Sequence, residues 1–390
     1  MRQYFFKHFI YKILESSIVT TRIIHYNVIM IINIGNQKTE TLTDYIRWRG
    51  DLTFRNNQFQ LLDSLVFTQL SYVDFSMVLD EPYKEATLGS LDTYITDHNC
   101  YRLKNLIGGE EELFHQIARS KRFKDIIVRN YIDVLEDDVQ FCAMEFVINQ
   151  RLSFIAYRGT DNTLVGWKED FKITYTKIKA QSHAREYLKA IINDSTVYYV
   201  GGHSKGANLA LYACGGLDEK QYKRILRIFD LDGPGFCKDT FDRTKLDLLN
   251  SKVIKMIPEY CVVGKMFYYP FENVFIVRSK ESGANQHDLV SWCMDGLKLD
   301  VVKENDKRSE WITSILNDWI DGATYEEREL FIDEFFTSLS AGGATTMQEI
   351  LTKDLVEVAR AMVNASPTSR KIVLNLAEVV FLKDKKNTVD

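Results

Sequence analysis

From Thr41 onward the apolar residues fall into two rhythms. The first is helical. Thr43 can cap a helix that carries Tyr45, Ile46 and Trp48, and a second helix spans Gln58 to Phe75, with Leu61, Leu62, Leu65, Val66 and Leu70 at helical spacing. A charged, mixed stretch that reads as helical follows from Leu103 to Asn130. The rhythm then shortens. Ile132–Glu136 leads into Phe141–Ile148 and Leu152–Tyr157, and the turn Asn149-Gln150-Arg151 predicts a hairpin between the last two. A helix over Lys177–Asn193 comes next, followed by strands at Thr196–Val200, Ile225–Phe229, Lys252–Ile257 and Asn273–Val277. Strands alternating with helices at this spacing predict an α/β fold: a mostly parallel sheet covered by helices on both faces. From Asp288 to the end the chain reads as helical, broken at Gly322 and Gly342-Gly343, so a C-terminal helical layer is expected. No internal repeat is visible.

The first residues do not share this order. Lys7 and Lys12 interrupt what would be the apolar part of a signal peptide, and no small-residue cleavage site follows. Ile23–Ile34 is apolar but too short for a membrane span, and Arg22 and His25 lie beside or within it. The expected organisation is therefore an extension over 1–35, disordered or an artefact of the reading frame with Met30 as the start. An α/β domain over 40–300 follows, and a helical region over 301–390 is packed on it. A length of 390 residues suits one large domain or two ordinary ones. A hydrophobic content of 45% with 26% charged residues describes a globular protein, and a net charge of −5 with no basic run argues against nucleic acid as a partner. None of the six cysteines forms C-x-x-C, so neither a metal site nor a redox pair is signalled, and their scatter reads as buried, reduced thiols in a cytoplasmic protein.

The chemistry concentrates where a strand pattern meets a helix pattern. Val197–Val200 is β-branched and aromatic, Asn208–Cys214 is made of good helix formers, and between them Gly202-His-Ser-Lys-Gly206 fits G-x-S-x-G. A serine on such a turn has its hydroxyl projecting from the top of the sheet, close to the amides at the new helix's start. A Cβ at Gly202 or Gly206 would collide with the neighbouring strand and helix. Ser204 is therefore the candidate nucleophile.

It needs a base and an orienting acid, which on such a sheet follow the serine in the order acid, then histidine. Of the seven histidines, His8 and His25 lie in the extension, while His98 and His115 precede the sheet. His183 falls in a helical run that reads as solvated, and His203 adjoins the serine and is expected to point away from it. His287 remains, a short loop after the strand ending at Val277. For the acid, Asp232 stands in a Gly-Pro turn at the end of the strand after the elbow helix, with Asp230 two residues earlier. Glu259, after Pro258, is the rival, and the choice stays open. An oxyanion needs two donors. The amide of Lys205 supplies one, and Thr160, through its amide and hydroxyl, is the candidate for the second. The Lys205 side chain reads as solvated and Arg158 as structural. Met266–Phe271 could wall an acyl pocket or be ordinary core.

With these residues assembled, the chain resembles the lipase-like α/β-hydrolase superfamily, particularly the class-three, fungal-type lipases. Tyr157-Arg-Gly-Thr160 with Trp167 and Asp170 looks like that family's oxyanion loop, and Gly202–Gly206 like its elbow. More closely, it is similar to a bacterial family of uncharacterised lipase-like proteins. The marks of that family are Trp48-Arg-Gly-Asp51, Leu70-Ser-Tyr-Val-Asp-Phe75, Gly166-Trp-Lys-Glu-Asp170, Asp232-Gly-Pro-Gly-Phe236 and Gln286-His-Asp288. Two departures stand out: Lys205 replaces the usual apolar residue of the elbow, and Pro258-Glu259 stands where class-three lipases carry their aspartate. The resemblance implies an α/β-hydrolase fold over about residues 40 to 300 and a Ser-His-acid triad.

The expected function is a serine hydrolase cleaving small-molecule or lipid carboxylic esters through Ser204, His287 and Asp232, with no cofactor and no metal. The alternatives are a catalytically silent binding or scaffold protein on the same fold, and a thioesterase or acyltransferase using the same triad.

Overall fold

The computed structural model of the chain describes residues 39–79, 84–98, 110–161, 163–237, 240–340 and 366. The expected extension over 1–35 lies outside the described residues, as does Cys100. The chain divides into a compact unit, Thr39–Ala323, and a second unit to which the residues from Thr324 belong.

In the first unit, α1 (Leu42–Arg49), α2 (Leu61–Leu70) and α3 (Ser76–Leu79) precede β1 (Glu85–Thr87), α4 (Leu88–His98) and α5 (Glu110–Arg119). Three antiparallel strands follow: β2 (Ile127–Glu136), β3 (Val139–Asn149) and β4 (Leu152–Tyr157). Next come α6 (Leu164–Lys172), α7 (Lys179–Ile191), β5 (Val197–His203), α8 (Lys205–Gly215), α9 (Glu219–Tyr222), β6 (Ile225–Leu231), α10 (Arg243–Leu249), β7 (Val253–Pro258) and β8 (Val274–Val277). The short strands β9 (Met294–Asp295), β10 (Lys298–Leu299) and β11 (Val301–Val302) lead to α11 (Lys307–Gly322). In the second unit, α12 (Tyr325–Leu339) starts at a capping box: the Glu327 amide donates to Thr324 Oγ1, and the Thr324 amide to the Glu327 carboxylate.

Among the described residues, nine strands form one sheet in the order β1-β2-β3-β4-β5-β6-β7-β8-β11. The five strands β4 to β8 run parallel, with antiparallel strands at both edges. The period-2 pattern of the strands feeds two cores. On β3 and β4, Cys142, Met144, Phe146, Phe154 and Ala156 face a core shared with α1, α2, α4 and α5. Their neighbours Phe141, Ala143, Ile155 and Tyr157 face the opposite core, shared with α7, α8 and α10. Both faces of the sheet are therefore covered, as an α/β arrangement requires. The segment Met266–Phe271 joins the second core: Phe271 is buried there, and Phe267, Tyr268 and Tyr269 pack against it.

Several boundaries differ from the pattern reading. The first helix starts after Thr41 rather than Thr43, because Asp44 accepts the Thr41 amide at 3.0 Å. The second is only Leu61–Leu70, opened by Asp63 accepting the Gln60 amide at 2.7 Å. The stretch Leu103–Asn130 is helical only to Arg119 within its described part, since Ile126, Ile127 and Val128 are β-branched and Ile127 starts the strand that pairs with β3. Asp288–Asn305 is not helical. The Asp288 carboxylate accepts the Val290 amide and turns the chain into a single 3₁₀ turn, Leu289–Ser291. Trp292 is then fully buried, and Gly296, at φ 60°, closes the hairpin between β9 and β10.

Candidate active site

The C-terminal ends of β4 to β8 bring the candidate residues to one edge of the sheet. Ser204 follows β5 directly, at φ 56° and ψ −128°, a left-handed conformation that costs a non-glycine residue energy. It is held there because its amide donates to the Leu231 carbonyl at 2.9 Å while α8 begins at the next residue. Gly206 permits the bend: a Cβ there would lie 2.2 Å from the Tyr157 carbonyl oxygen. The start of α8 thus packs on the end of β4 and aims its first amides toward the serine, where helix geometry favours negative charge.

Asp232 follows β6, also in the left-handed region at φ 49°. Its amide donates to Met256 O at 2.7 Å, and Asn208 of α8 donates to the carbonyls of Pro234 and Gly235, tying this turn to the elbow helix. The carboxylate is buried and fully used. Oδ1 accepts the Gly264 amide at 3.0 Å and the Cys261 thiol at 3.1 Å, and Oδ2 lies 2.5 Å from His287 Nδ1. Burial alone would raise the Asp232 pKa, but the charge of His287 and the hydrogen bonds from His287 and Cys261 hold it below the ordinary aspartate value. Burial likewise works against the His287 imidazolium, yet the Asp232 charge and hydrogen bond outweigh it and raise the His287 pKa above the usual 6.5.

His287 reaches Asp232 because its loop is pinned on both sides. The Gln286 side chain accepts the Tyr260 amide at 2.7 Å, and the Gln286 carbonyl accepts the Trp292 indole N–H at 2.8 Å. The rival acid, Glu259, has its amide on the Val277 carbonyl and its own carbonyl on the Asp306 amide. It is the Asp232 carboxylate, not that of Glu259, that meets His287. Asp230 is engaged elsewhere: its buried carboxylate pairs with Lys255 Nζ at 2.7 Å.

The loop leaving β4 lies against the elbow. A Cβ on Gly159 would be 2.5 Å from the His203 carbonyl oxygen and 3.3 Å from Ser204 Cβ. Thr160 is next in this loop, and its hydroxyl donates to Asp170 Oδ2 at 2.5 Å. Burial pushes the Asp170 carboxyl up to about 6, against the pull of Lys205 and of Thr160. Arg158 is buried and forks onto Asp133, in line with a structural role.

Lys205 departs from its reading. Its side chain is 1% exposed rather than solvated, and its Nζ donates to Glu169 Oε2 at 2.9 Å, Gln140 Oε1 at 2.5 Å and the Gln140 carbonyl at 3.2 Å. The first turn of α8 points this stem beneath the loop from β4, where Glu169 of α6 awaits it. His183 is also not simply solvated, since its ring stacks on Phe141 with centroids 5.6 Å apart. His115 pairs with Asp92, away from the elbow.

The pattern reading gave no role to Tyr72, Glu169, Cys261 or Gln286, and it set His203 aside. Tyr72, Glu169 and Gln286 stood inside quoted motifs, which was the available signal; for Cys261 there was none. The five described cysteines are buried, and none is in a disulfide with another of them. Among the described residues no cluster could hold a metal ion, and no helix is long and apolar enough to cross a membrane.

Comparison with known proteins adds three findings. A family model described as Mbeg1-like matches residues 117–337. No curated protein matches the chain. Among solved structures the chain is similar to M37 lipase, at 12% identity and a TM-score of 0.33 over 54% of this chain and 70% of that one. It is also similar to lipase II from Rhizopus niveus, at 16% identity and a TM-score of 0.26 over 45% of this chain and 72% of that one.

Proposed function

The chain belongs to the Mbeg1-like family, and from the His287–Asp232 pair set at the same sheet edge as the strained Ser204 we propose that it is a serine hydrolase cleaving carboxylic esters. The observation that carries the proposal is the 2.5 Å contact of His287 Nδ1 with a buried carboxylate that already has two other donors. Such a carboxylate fixes the imidazole with Nδ1 protonated and leaves Nε2 able to take a proton.

In this reading Ser204 Oγ attacks the ester carbonyl carbon, and its proton passes to His287 Nε2. The imidazolium so formed is stabilised by Asp232. The carbonyl oxygen becomes an oxyanion that receives the amides of Lys205 and Thr160, together with the positive end of α8. Collapse expels the alcohol, which takes the proton from His287, and leaves an acyl ester on Ser204. Water, deprotonated by His287, then releases the acid and restores the serine. The short bond from Thr160 to Asp170 supports the reading, because it fixes the loop whose amide must stay aimed at the developing charge.

The test is direct. Purified protein is expected to turn over a chromogenic acyl ester and to be labelled by a fluorophosphonate at Ser204, with Ser204→Ala losing both. Folded wild-type protein that neither labels nor turns over any acyl ester rejects the proposal.

A further inference from the structure

Tyr72 and His203 lie outside the proposed triad, yet its loops meet at them. Both are buried, at 3% and 7% exposure. The Tyr72 hydroxyl is 2.8 Å from His203 Nδ1, and His203 Nε2 is 2.8 Å from the main-chain oxygen of His287. The Gly159 backbone lies against the same phenol oxygen, which would be 2.4 Å from a Cβ at that position. One phenol therefore touches the loop from β4, and through one imidazole it reaches the backbone of the candidate base.

The partners dictate where the protons sit. A main-chain carbonyl only accepts, so His203 Nε2 carries a hydrogen. In a neutral imidazole Nδ1 is then an acceptor, and the Tyr72 O–H donates to it. A doubly protonated His203 would instead donate from Nδ1 to the phenol oxygen and take away the acceptor of the buried Tyr72 O–H. It would also place a positive charge beside His287, since the two ring centroids are 4.4 Å apart. That charge would oppose the one His287 must take up in catalysis. His287 and Asp232 face His203, while Arg158, Asp170 and Asp288 face Tyr72. Burial, then the nearby His287, push the His203 pKa down to about 3.

We propose that Tyr72 and His203 are a positioning pair: a neutral imidazole that accepts the Tyr72 hydroxyl at Nδ1 and whose Nε2–H holds the His287 main chain against the elbow. Neither residue touches the reacting atoms. The effect on rate rests on the serine-hydrolase reading; the tautomer does not.

The experiment uses the full chain with ¹⁵N-labelled histidine. In wild-type protein the His203 ring is expected to show a protonated Nε2, an unprotonated Nδ1 and no titration between about pH 5 and 8. Tyr72→Phe keeps the ring but removes the donor to Nδ1, so the His203 Nδ1 signal should move toward that of an imidazole nitrogen accepting no hydrogen bond, while Nε2 stays protonated. For a chromogenic acyl ester, kcat should fall about tenfold with KM within about twofold, as expected when a base is misplaced and binding is untouched. A protonated Nδ1 on His203 in the wild type, or its titration in that range, overturns the proposal. So does folded Tyr72→Phe with wild-type kcat. If wild-type protein hydrolyses no ester, the catalytic reading falls, and the nitrogen signals still decide the pairing on their own.

Discussion

Replacing Lys205 with methionine removes the cation of a buried ion pair with Glu169, a cation that also lies 3.8 Å from Asp170. Methionine matches the stem in length, so packing along α8 is nearly kept. What remains is the Glu169 carboxylate, 2% exposed, whose other donors are the amides of Gln140 and Ala180, each at 3.2 Å. Two amides do not replace a charged partner at 2.9 Å. The Gln140 side-chain oxygen and carbonyl, which accept Nζ at 2.5 and 3.2 Å, lose that donor as well. Breaking a buried pair from one side costs about 3–5 kcal/mol, against at most about 1 kcal/mol for an exposed pair. Urea unfolding followed by tryptophan fluorescence at neutral pH should therefore place Lys205→Met about 3–5 kcal/mol below wild type. Adding Glu169→Gln removes the stranded charge, so the double variant should recover about 2 kcal/mol or more of the summed single losses. A loss under about 1 kcal/mol for Lys205→Met, with additive behaviour in the double variant, would refute the argument. The lysine would then be the solvated residue that its position in the motif suggests.

Three further outcomes follow from the site. Ser204→Gly relieves the backbone at φ 56° and should exceed Ser204→Ala in stability by about 1 kcal/mol or more in the same urea assay, with equal stability counting against strain at the elbow. In the proposed mechanism turnover needs neutral His287, so kcat/KM of wild-type protein should rise with pH through a pKa above 6.5, because the Asp232 charge favours the imidazolium. Asp232→Asn removes that charge: the rise should move to lower pH and kcat should fall by about 10⁴, as for the corresponding change in a serine protease triad. An unmoved pH profile would show that Asp232 is not the group coupled to the base.

The elbow was legible in the sequence because everything that defines it is local. A β-branched run, two glycines four residues apart and a run of helix formers specify a strand, a bend and a helix within one short stretch. The parallel order of β4 to β8 was legible for a similar reason, since alternating strands and helices leave few ways to connect. Local rules also explain the errors. Thr43 and Thr41 are both capping residues, and only the position of Asp44 chooses between them. The apolar residues Leu289, Trp292, Met294 and Leu299 read as helical until Asp288 and Gly296 impose turns.

The charged groups were hidden for another reason. Hydropathy reads a lysine after the candidate nucleophile as solvated, and nothing within reach of Lys205 along the chain contradicts it, because Glu169 and Gln140 come from α6 and β3. The choice between Asp232 and Glu259 was hidden in the same way. Both follow strand ends, and what separates them is the set of donors that the segment from Cys261 to Gly264 turns toward Asp232 alone. A carboxylate can lose its water only where such donors are already in place. Three donors on one buried aspartate therefore mark the position where the fold holds a charge that its core would otherwise exclude, and His287 is the donor among them whose second ring nitrogen, Nε2, is left to take a proton in the proposed reaction.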